Sequence, residues 1–591
     1  MERFDSSVGA GTVLAPFGGK YQLTPAQVMA ARIPALGKYA LTASLMSYGF
    51  DPYVSEQSPY HGGIQAVVES VAKLVAAGVD YKTVRLSFQE YYEKMANPTS
   101  WGKPFAALLG TFKAQMELKI PAIGGKDSMS GSFEGRLHVP PTLVSFSAAT
   151  APIACIISPE FKKAGNSVYL LKTPVDKNGV VQFDALIRNF ELVHQLILKR
   201  KIISAHVPEF GGIAESLSKM SFGNKIGVGV NYFGDYFAKE VGAFVVEALG
   251  TLPTEFELIG QTMSEPIIHA NDVKIPIDDC IQAWLTPHEE VFPTGMVGEK
   301  IKPEPSPLRT YNTPSILTSP TKFGKPRVFL PVFPGTNSEW DVAGCFERAG
   351  AEIDIFVMGN LTHNAFKDSI KEMAKRIKNA QMIAISGGFS AGDEPDGSGK
   401  FIAAVFANPA ITEATIELLY EREGLMLGIC NGFQALIKTG LLPYGKIGPI
   451  TESSPTLTVN AIGRHISNIT QTKIISNKSP WLAGATLDGI YRSASSHGQG
   501  RFVATPELIT ELNQNGQIFS VFVDMDGNPT ESLPHNPNGS ALGIEGITDP
   551  TGRILGKMGH SERATSCNTL FKNIPGNFSQ KIFASGVNYF R

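Results

Sequence analysis

Apolar positions along the chain fall into two regimes. From about Arg327 onward, short apolar runs alternate with stretches of helical spacing. Arg327–Pro334 (RVFLPVFP), Ile353–Met358, Gln381–Ile385 and Leu425–Ile429 read as buried strands. Gly335-Thr336-Asn337-Ser338 follows the first run, and Ser338 is predicted to cap a helix through about Ala349. Strands alternating with helices predict a mainly parallel sheet covered on both faces, with its site at the strands' carboxyl ends. The earlier half is less regular. Val67–Ala77 and Phe183–Leu198 have helical apolar spacing, whereas Leu143–Ala149 and Ser167–Leu171 resemble strands, so this half reads as α+β. No internal repeat recurs. The longest nearly apolar stretch, Leu143–Ile157, is shorter than a membrane span and carries Ser, Thr and Pro, which marks it as buried strand.

Between the two regimes lies Glu299–Lys325, EKIKPEPSPLRTYNTPSILTSPTKFGK, where proline denies helices their donors and apolar periodicity lapses. It reads as a linker lying over a surface. A chain of 591 residues exceeds what one core supports, so several domains are expected. Its net charge of −2, with 18% charged and 43% hydrophobic residues, carries neither the basic excess of a nucleic-acid binder nor an acidic tail. Small molecules or proteins are the expected partners. Met1–Ser7 lacks the apolar run of a signal peptide, and five cysteines without paired spacing suit a reducing compartment. A cytoplasmic location is expected.

The chemistry concentrates at Leu425–Ile437, an apolar strand, a turn and a helix with G-x-C-x-G at the turn. Small residues at Gly428 and Gly432 let strand and helix pack closely while Cys430 projects from a strained turn. The helix amino end beyond Cys430 favours thiolate, the reactive form. Cys155, Cys280, Cys345 and Cys567 lack such a setting and are given no role. Acyl transfer at a thiol also needs a base, a group to orient it and oxyanion donors. Lys557-Met-Gly-His560-Ser-Glu562-Arg563 follows the strand-like Arg553–Leu555. His560 and Glu562, two apart on an extended segment, point the same way, so the carboxylate can hold the imidazole's tautomer. The oxyanion donors are expected from Ile385–Ser390, where paired glycines leave backbone N–H groups unobstructed; the amides of Gly388 and Asn431 are the candidates.

In this order, SGGFSAGD, GICNGFQ and GHSER resemble the class I glutamine amidotransferases. PGTNSEWDVAGCFERAG at Pro334–Gly350, SHGQGRF at Ser496–Phe502 and NPNGS at Asn536–Ser540 resemble more narrowly the glutaminase domain of the phosphoribosylformylglycinamidine synthase family. The resemblance implies a flavodoxin-like glutaminase with a Cys430–His560–Glu562 triad that forms a glutamyl thioester and releases ammonia. It also implies that Gly387, Gly388, Phe389, Asn431 and Gln434 bind the oxyanion and glutamine. Gln499 stands where the family more often has Glu, and Gly559-His560-Ser561 replaces its Pro-His-Pro surround.

Upstream, Pro121–Ser130 resembles the family's glycine-rich GGKDSMS loop. That likeness implies an aminoimidazole ribonucleotide synthetase-like half, in which Gly125, Lys126, Asp127 and Ser128 contact ATP, Mg2+ or formylglycinamide ribonucleotide. Asp127 and Glu69 are the implied metal ligands. Ala205–Ile213 resembles the family's HDRSDGG-like segment, but Val207 stands at its Asp-like position, and Lys38 and Lys73 fall where Asp and Asn are expected. A cation cannot sit in a Mg2+ shell, though a lysine can replace the ion's charge, so the auxiliary nucleotide site is expected to be empty or metal-free.

The resemblance divides the chain into an ATP and substrate subdomain (1–155), a second α+β subdomain (156–300), the linker (301–325) and the glutaminase (326–591). The family's large synthase has a first synthetase half before the point where this chain begins. A fragment, or a partner half made as a separate polypeptide, is therefore expected. Read whole, the sequence predicts the carboxyl-terminal part of a ligase using glutamine, ATP and formylglycinamide ribonucleotide, without nucleic acid or membrane. A glutaminase serving another ligase and a non-catalytic assembly module are the competing readings.

Overall fold

A computed structural model describes residues 7–35, 40–293, 307–392, 399–563 and 569–591. The chain forms two compact units. The carboxyl-terminal unit comprises Met1–Ala10, Val291–Cys567 and Gly576–Arg591, and the amino-terminal unit comprises Gly11–Glu290 and Asn568–Pro575.

The carboxyl-terminal unit is built on nine strands: β1 (Arg327–Val332), β2 (Glu352–Val357), β3 (Met382–Ile385), β4 (Leu425–Ile429), β5 (Ile466–Ile474), β6 (Ile490–His497), β7 (Ile518–Phe522), β8 (Ile544–Thr548) and β9 (Ile554–Lys557). They lie in the order β2-β1-β3-β4-β9-β8-β7-β5-β6. From β2 to β9 every pairing is parallel, and from β9 to β6 every pairing is antiparallel. All five residues of β4 and all four of β3 are buried, as the unbroken apolar runs of double-covered parallel strands require. The helix Glu339–Ala349 packs Phe346 edge-on against Phe583, ring centres 5.0 Å apart, and 6.1 Å from Trp481.

Ser338 precedes that helix but does not cap it through its side chain. Its hydroxyl donates to Asn337 Oδ1 at 3.1 Å and accepts from Arg563 Nη2 at 3.1 Å. A buried guanidinium competes for the oxygen more strongly than a helix amide does. Of the predicted linker, 301–306 lie outside the described residues. Residues 307–325 contain no helix or strand, and Tyr311 bridges to Ser476 of the same unit.

The amino-terminal unit contains two large sheets, each with helices against it, and two small two-stranded ones. The first has the spatial order Thr12–Leu14, Met29–Arg32, Thr42–Gly49, Thr142–Pro152, Arg85–Tyr91, Ala122–Ser128. The second has seven strands and is antiparallel apart from one parallel pair, Gly227–Val230 with Ile267–Ala270. Phe183–Leu198 and Ser167–Leu171 carry the predicted bounds.

The helix predicted from Val67 begins earlier, at Pro59, because Ser58 caps it and Pro59 opens its first turn. Pro98–Leu118 is a helix absent from the sequence reading. It buries Ala107, Gly110, Thr111 and Ala114 while Trp101, Phe105, Leu108, Leu109, Phe112 and Met116 stand exposed on its other side. Late in the sequence but within this same unit, Phe571 and Lys572 donate backbone N–H groups to Thr12 and Val13 carbonyls at 3.0 and 2.9 Å. Asn573 Oδ1 accepts from the Ala15 amide at 2.8 Å. Among the described residues no single helix is long and apolar enough to cross a membrane.

Phe346→Ala is expected to destabilise the carboxyl-terminal unit by about 3–5 kcal/mol, the cost of truncating a fully buried ring. Denaturant unfolding of the whole chain, followed by hydrogen exchange, should show that unit's midpoint falling while the amino-terminal unit's stays in place. A loss below about 1 kcal/mol would contradict its place in the core.

Candidate active site

β4 delivers Cys430 at its carboxyl end with φ 52° and ψ −107°, a conformation rare outside glycine. The surroundings fix it there. Its N–H donates to the Lys557 carbonyl on β9 at 2.9 Å, and its carbonyl accepts the Gln434 N–H at 3.0 Å. It heads the helix α1 (Asn431–Thr439). A Cβ at Gly432 would lie 2.2 Å from the Ile385 carbonyl oxygen on β3, so only glycine lets α1 start this close to the sheet. The thiol is buried, with the Ser496 carbonyl 3.7 Å away.

His560 comes from the segment after β9, its N–H donating to the Ala494 carbonyl at 2.7 Å. The predicted extended His-x-Glu is a turn instead: the Arg563 N–H returns to the His560 carbonyl at 3.3 Å. The turn brings Glu562 Oε1 to 2.5 Å from His560 Nδ1, with both side chains almost wholly buried. Burial and the Arg563 charge act to lower the His560 pKa, but Glu562 and then the neighbouring Cys430 outweigh them and hold it up at about 9. Burial pushes Glu562 the other way, yet His560 and Arg563 keep its carboxyl below the usual range. A Cβ added to Gly387 would meet His560 Cε1 at 2.6 Å and Cys430 Cβ at 3.3 Å, so the bare glycine keeps open the space beside thiol and imidazole.

A small cleft is lined by Asn337, Gly388, Phe389, Cys430, Gln434, Ser496, His497, Gly498, Gln499, His560 and Arg563. Among the described residues the Gly388 amide donates to no protein group. Asn431 Nδ2 donates to Gln434 Oε1 at 3.0 Å, and Gln434 Nε2 donates to the Gln499 carbonyl. Phe389, partly exposed, tilts over the His465 ring.

Sequence reasoning gives no role to Asn337, Ser496, His497, Gly498, Gln499 or Arg563 at this cleft. Asn337 and His497 were visible only inside longer quoted segments. Burial, then the charges of His560 and His465, depress the His497 pKa to about 3, so its ring stays neutral and its Nε2 accepts from Asn538 Nδ2 at 3.2 Å. Arg563 lies beside Glu562 (3.9 Å) and donates to Ser338 and, at 3.0 Å, to Ser7. Nearby, Asp341 Oδ2 accepts the Gly9 N–H at 3.1 Å; burial and then Glu562 raise its pKa to about 6.

In the amino-terminal unit, Gly125, Lys126, Asp127 and Ser128 lie on an exposed edge strand, Ala122–Ser128, rather than in a loop. Lys126 Nζ donates to Ser128 Oγ at 2.5 Å, and Asp127 pairs in register with the buried Glu90. Glu69 lies elsewhere, on Pro59–Ala76, with one oxygen 2.9 Å from Lys73 Nζ and the other 3.4 Å from Lys239 Nζ. Lys73 also meets Glu209 at 2.5 Å, and Lys239 meets Asp51 at 2.7 Å. Burial opposes the Lys73 charge, but Glu69 and Glu209 raise its pKa above the ordinary value. Glu209 is likewise penalised by burial but held at about 2 by Lys73. Val207 is buried, its N–H bonded to Gln27 Oε1 at 2.8 Å. Lys38 lies outside the described residues. Among those described, no group of three or more His, Cys, Asp or Glu is placed to hold a metal ion.

Two opposite shifts set the pH dependence of the His560–Glu562 pair. The raised His560 contributes stability that is complete below its ordinary value of 6.5 and lost as the pH rises through about 9. The depressed Glu562 contributes stability present above its ordinary 4.5 and lost as the pH falls through its lower folded value. Glu562→Gln should therefore move the His560 midpoint from about 9 to below 6.5, since burial then prevails. NMR titration of the imidazole reads this directly, and an unmoved midpoint would rule out the pairing.

The profile of the CobB/CobQ-like glutamine amidotransferase domain matches residues 325–590. The phosphoribosylformylglycinamidine synthase subunit PurQ of Dehalococcoides mccartyi is 35% identical over 237 residues, a match covering 39% of this chain and 82% of that protein. The probable chloroplastic/mitochondrial phosphoribosylformylglycinamidine synthase of Arabidopsis thaliana is 25% identical over 529 residues, which is 78% of this chain and 36% of that synthase's length. Among solved structures, a chain of PurLQS from Thermotoga maritima is 25% identical and covered in full, over 45% of this chain, with a TM-score of 0.33. Its likeness to PurQ across most of that subunit's length shows that the chain belongs to the phosphoribosylformylglycinamidine synthase family.

Proposed function

We propose that the chain is the carboxyl-terminal part of a glutamine-dependent phosphoribosylformylglycinamidine synthase of purine biosynthesis, with Cys430 as its ammonia-releasing nucleophile. The observation that carries this is the strained Cys430 sharing one cleft with an imidazole oriented by a buried carboxylate. In the proposed cycle, Cys430 Sγ passes its proton to His560 Nε2 and attacks the side-chain amide carbon of glutamine. The oxyanion forms against the amides of Gly388 and Asn431. His560 Nε2 gives its proton to the leaving nitrogen, the C–N bond breaks, and ammonia departs from a glutamyl thioester. Water then adds as His560 takes its proton, the S–C bond breaks, and glutamate leaves with the thiol restored. Glu562 holds the imidazole's orientation throughout. Gly387, Phe389 and Gln434 shape the pocket around the glutamine side chain.

The ammonia would serve a ligation in which formylglycinamide ribonucleotide, ATP, glutamine and water yield the amidine, ADP, phosphate and glutamate. We assign residues 1–155 to the ATP and substrate subdomain, 156–300 to the second subdomain, 301–325 to the linker and 326–591 to the glutaminase. Gly125, Lys126 and Asp127 stand exposed, with Ser128 half-buried, on one strand accessible to phosphate. Asp127 with the facing Glu90 offers the oxygen donors that Mg2+ prefers, so these two would hold it. Bound there, Mg2+ would neutralise phosphate charge.

Glu69 does not fit a metal. Both of its oxygens face ammonium groups, and a divalent ion on the same oxygens would repel Lys73 across a few ångströms. The auxiliary nucleotide site is accordingly assigned as metal-free. The apolar face of Pro98–Leu118 supports a protein partner, which we assign as the amino-terminal synthetase half. A cytoplasmic location agrees with this assignment.

Glutamate release by the whole chain should fall at least about 10³-fold in Cys430→Ala. Ligation should require the separately supplied amino-terminal half and, in Cys430→Ala, should persist with added ammonia. Equal glutamate release from both proteins would overturn the glutaminase reading, and ligation by this chain alone would overturn the need for a partner. In equilibrium dialysis with nucleotide and Mg2+, Glu69→Gln should leave the stoichiometry of bound metal unchanged; losing a bound ion would refute the metal-free assignment.

A further inference from the structure

Cys430 and His560 follow the ends of different strands, and one residue bears on the setting of both. Lys557 ends β9 in register with Ile429, the last residue of β4. Its carbonyl accepts the Cys430 N–H at 2.9 Å. Its ammonium, wholly buried, donates to Ser561 Oγ and Gln580 Oε1, both at 2.8 Å, and lies 3.6 Å from Glu545 Oε1. That same Glu545 oxygen accepts the Gly559 N–H at 2.8 Å, and Ser561 Oγ also donates to Gln580 Oε1 at 2.8 Å. Gly559 and Ser561 are the two residues flanking His560.

This base loop therefore has a glycine on one side and a serine on the other, neither of which restricts the backbone as a ring would. Both are instead held by the Lys557–Glu545 pair. An ammonium has three donors and no acceptor, and three acceptors surround this one, so it has a single well-defined setting. A buried pair of this kind is a weak source of stability, because desolvation offsets most of the attraction. Its geometric effect is large, since it fixes two backbone positions one residue either side of the imidazole.

We infer that Lys557 and Glu545 are positioning residues for the His560 base, holding Gly559 and Ser561 so that the imidazole meets the thiol whose backbone Lys557 also bonds. The inference rests on Cys430 and His560 acting as proposed above.

Three variants of the whole chain test it. Ser561→Ala removes one tether and leaves the charges paired. Lys557→Met/Glu545→Gln removes both charges together, so that neither is left buried alone. Glutamate release should fall about tenfold in the first and about 10–100-fold in the second, in kcat with KM for glutamine nearly unchanged. Carboxamidomethylation of Cys430, followed by peptide mass against pH, should show the His560-linked inflection shifted or flattened in both. This readout needs no glutamine turnover, and a purely structural role would not move it.

Folded variants with unchanged kcat and an unchanged alkylation profile would overturn the inference. So would a double variant that fails to fold while Ser561→Ala behaves as the parent. Cys430→Ala is the third variant: if it retains glutamate release, the glutaminase reading itself fails, whereas if it alone is inactive, only the role of Lys557 and Glu545 fails.

Discussion

The carboxyl-terminal unit depends on one backbone constraint, the left-handed turn at Cys430. A non-glycine residue held at φ 52° stores on the order of 1–3 kcal/mol, which persists only where the neighbourhood over-determines it. Here β4 is clamped between β3 and β9, both parallel to it, so three carboxyl ends emerge side by side. The first presents the Gly387–Gly388 pair, the second the thiol and the third the approach to His560. Parallel register thus does what no local sequence could: it brings residues more than a hundred positions apart into one cleft while keeping the strained turn from relaxing.

That explains which parts of the site were legible. The G-x-C-x-G turn and the His-x-Glu pair carry their chemistry within a few residues, so their meaning survives in one dimension. Even there the local geometry differed, because Glu562 reaches His560 by a turn and not along an extended strand. Lys557, Arg563 and Asp341 were not legible, since their importance lies in contacts with Ser561, Gln580, Ser7 and Gly9 that no spacing rule reveals.

The same division runs through the fold. Leu425–Ile429, Ser167–Leu171 and Phe183–Leu198 took their expected bounds because unbroken apolar runs and helical periodicity are local signals. The helix Pro98–Leu118 escaped notice because it inverts the usual pattern, with alanine, glycine and threonine inward and large apolar residues outward. The antiparallel half of the sheet, from β8 to β6, lay beyond what strand–helix alternation could indicate.

Two buried lysines make the physical point in opposite senses. Lys73 lies between two carboxylates, and their attraction overcomes burial, so its charge is reinforced. Lys557 has Glu545 at a longer distance, and burial prevails over the charges of Glu545 and Glu562, so its pKa falls. The first suits a fixed counter-charge, the second a directional tether.

The boundaries of the two units carry a practical consequence. The carboxyl-terminal unit includes Ser7 and Gly9, which bond Arg563 and Asp341, while the amino-terminal unit includes Phe571–Asn573 laid along Thr12–Ala15. Cutting the chain once between residues 301 and 325 would therefore leave neither product whole. One would lose the residues that brace the arginine beside Glu562, and the other would lose the segment that pairs with its first strand. The two units are encoded in an interleaved order, so gene fusion and fission in such a chain must respect three crossings of the polypeptide besides the one near the proline-rich segment.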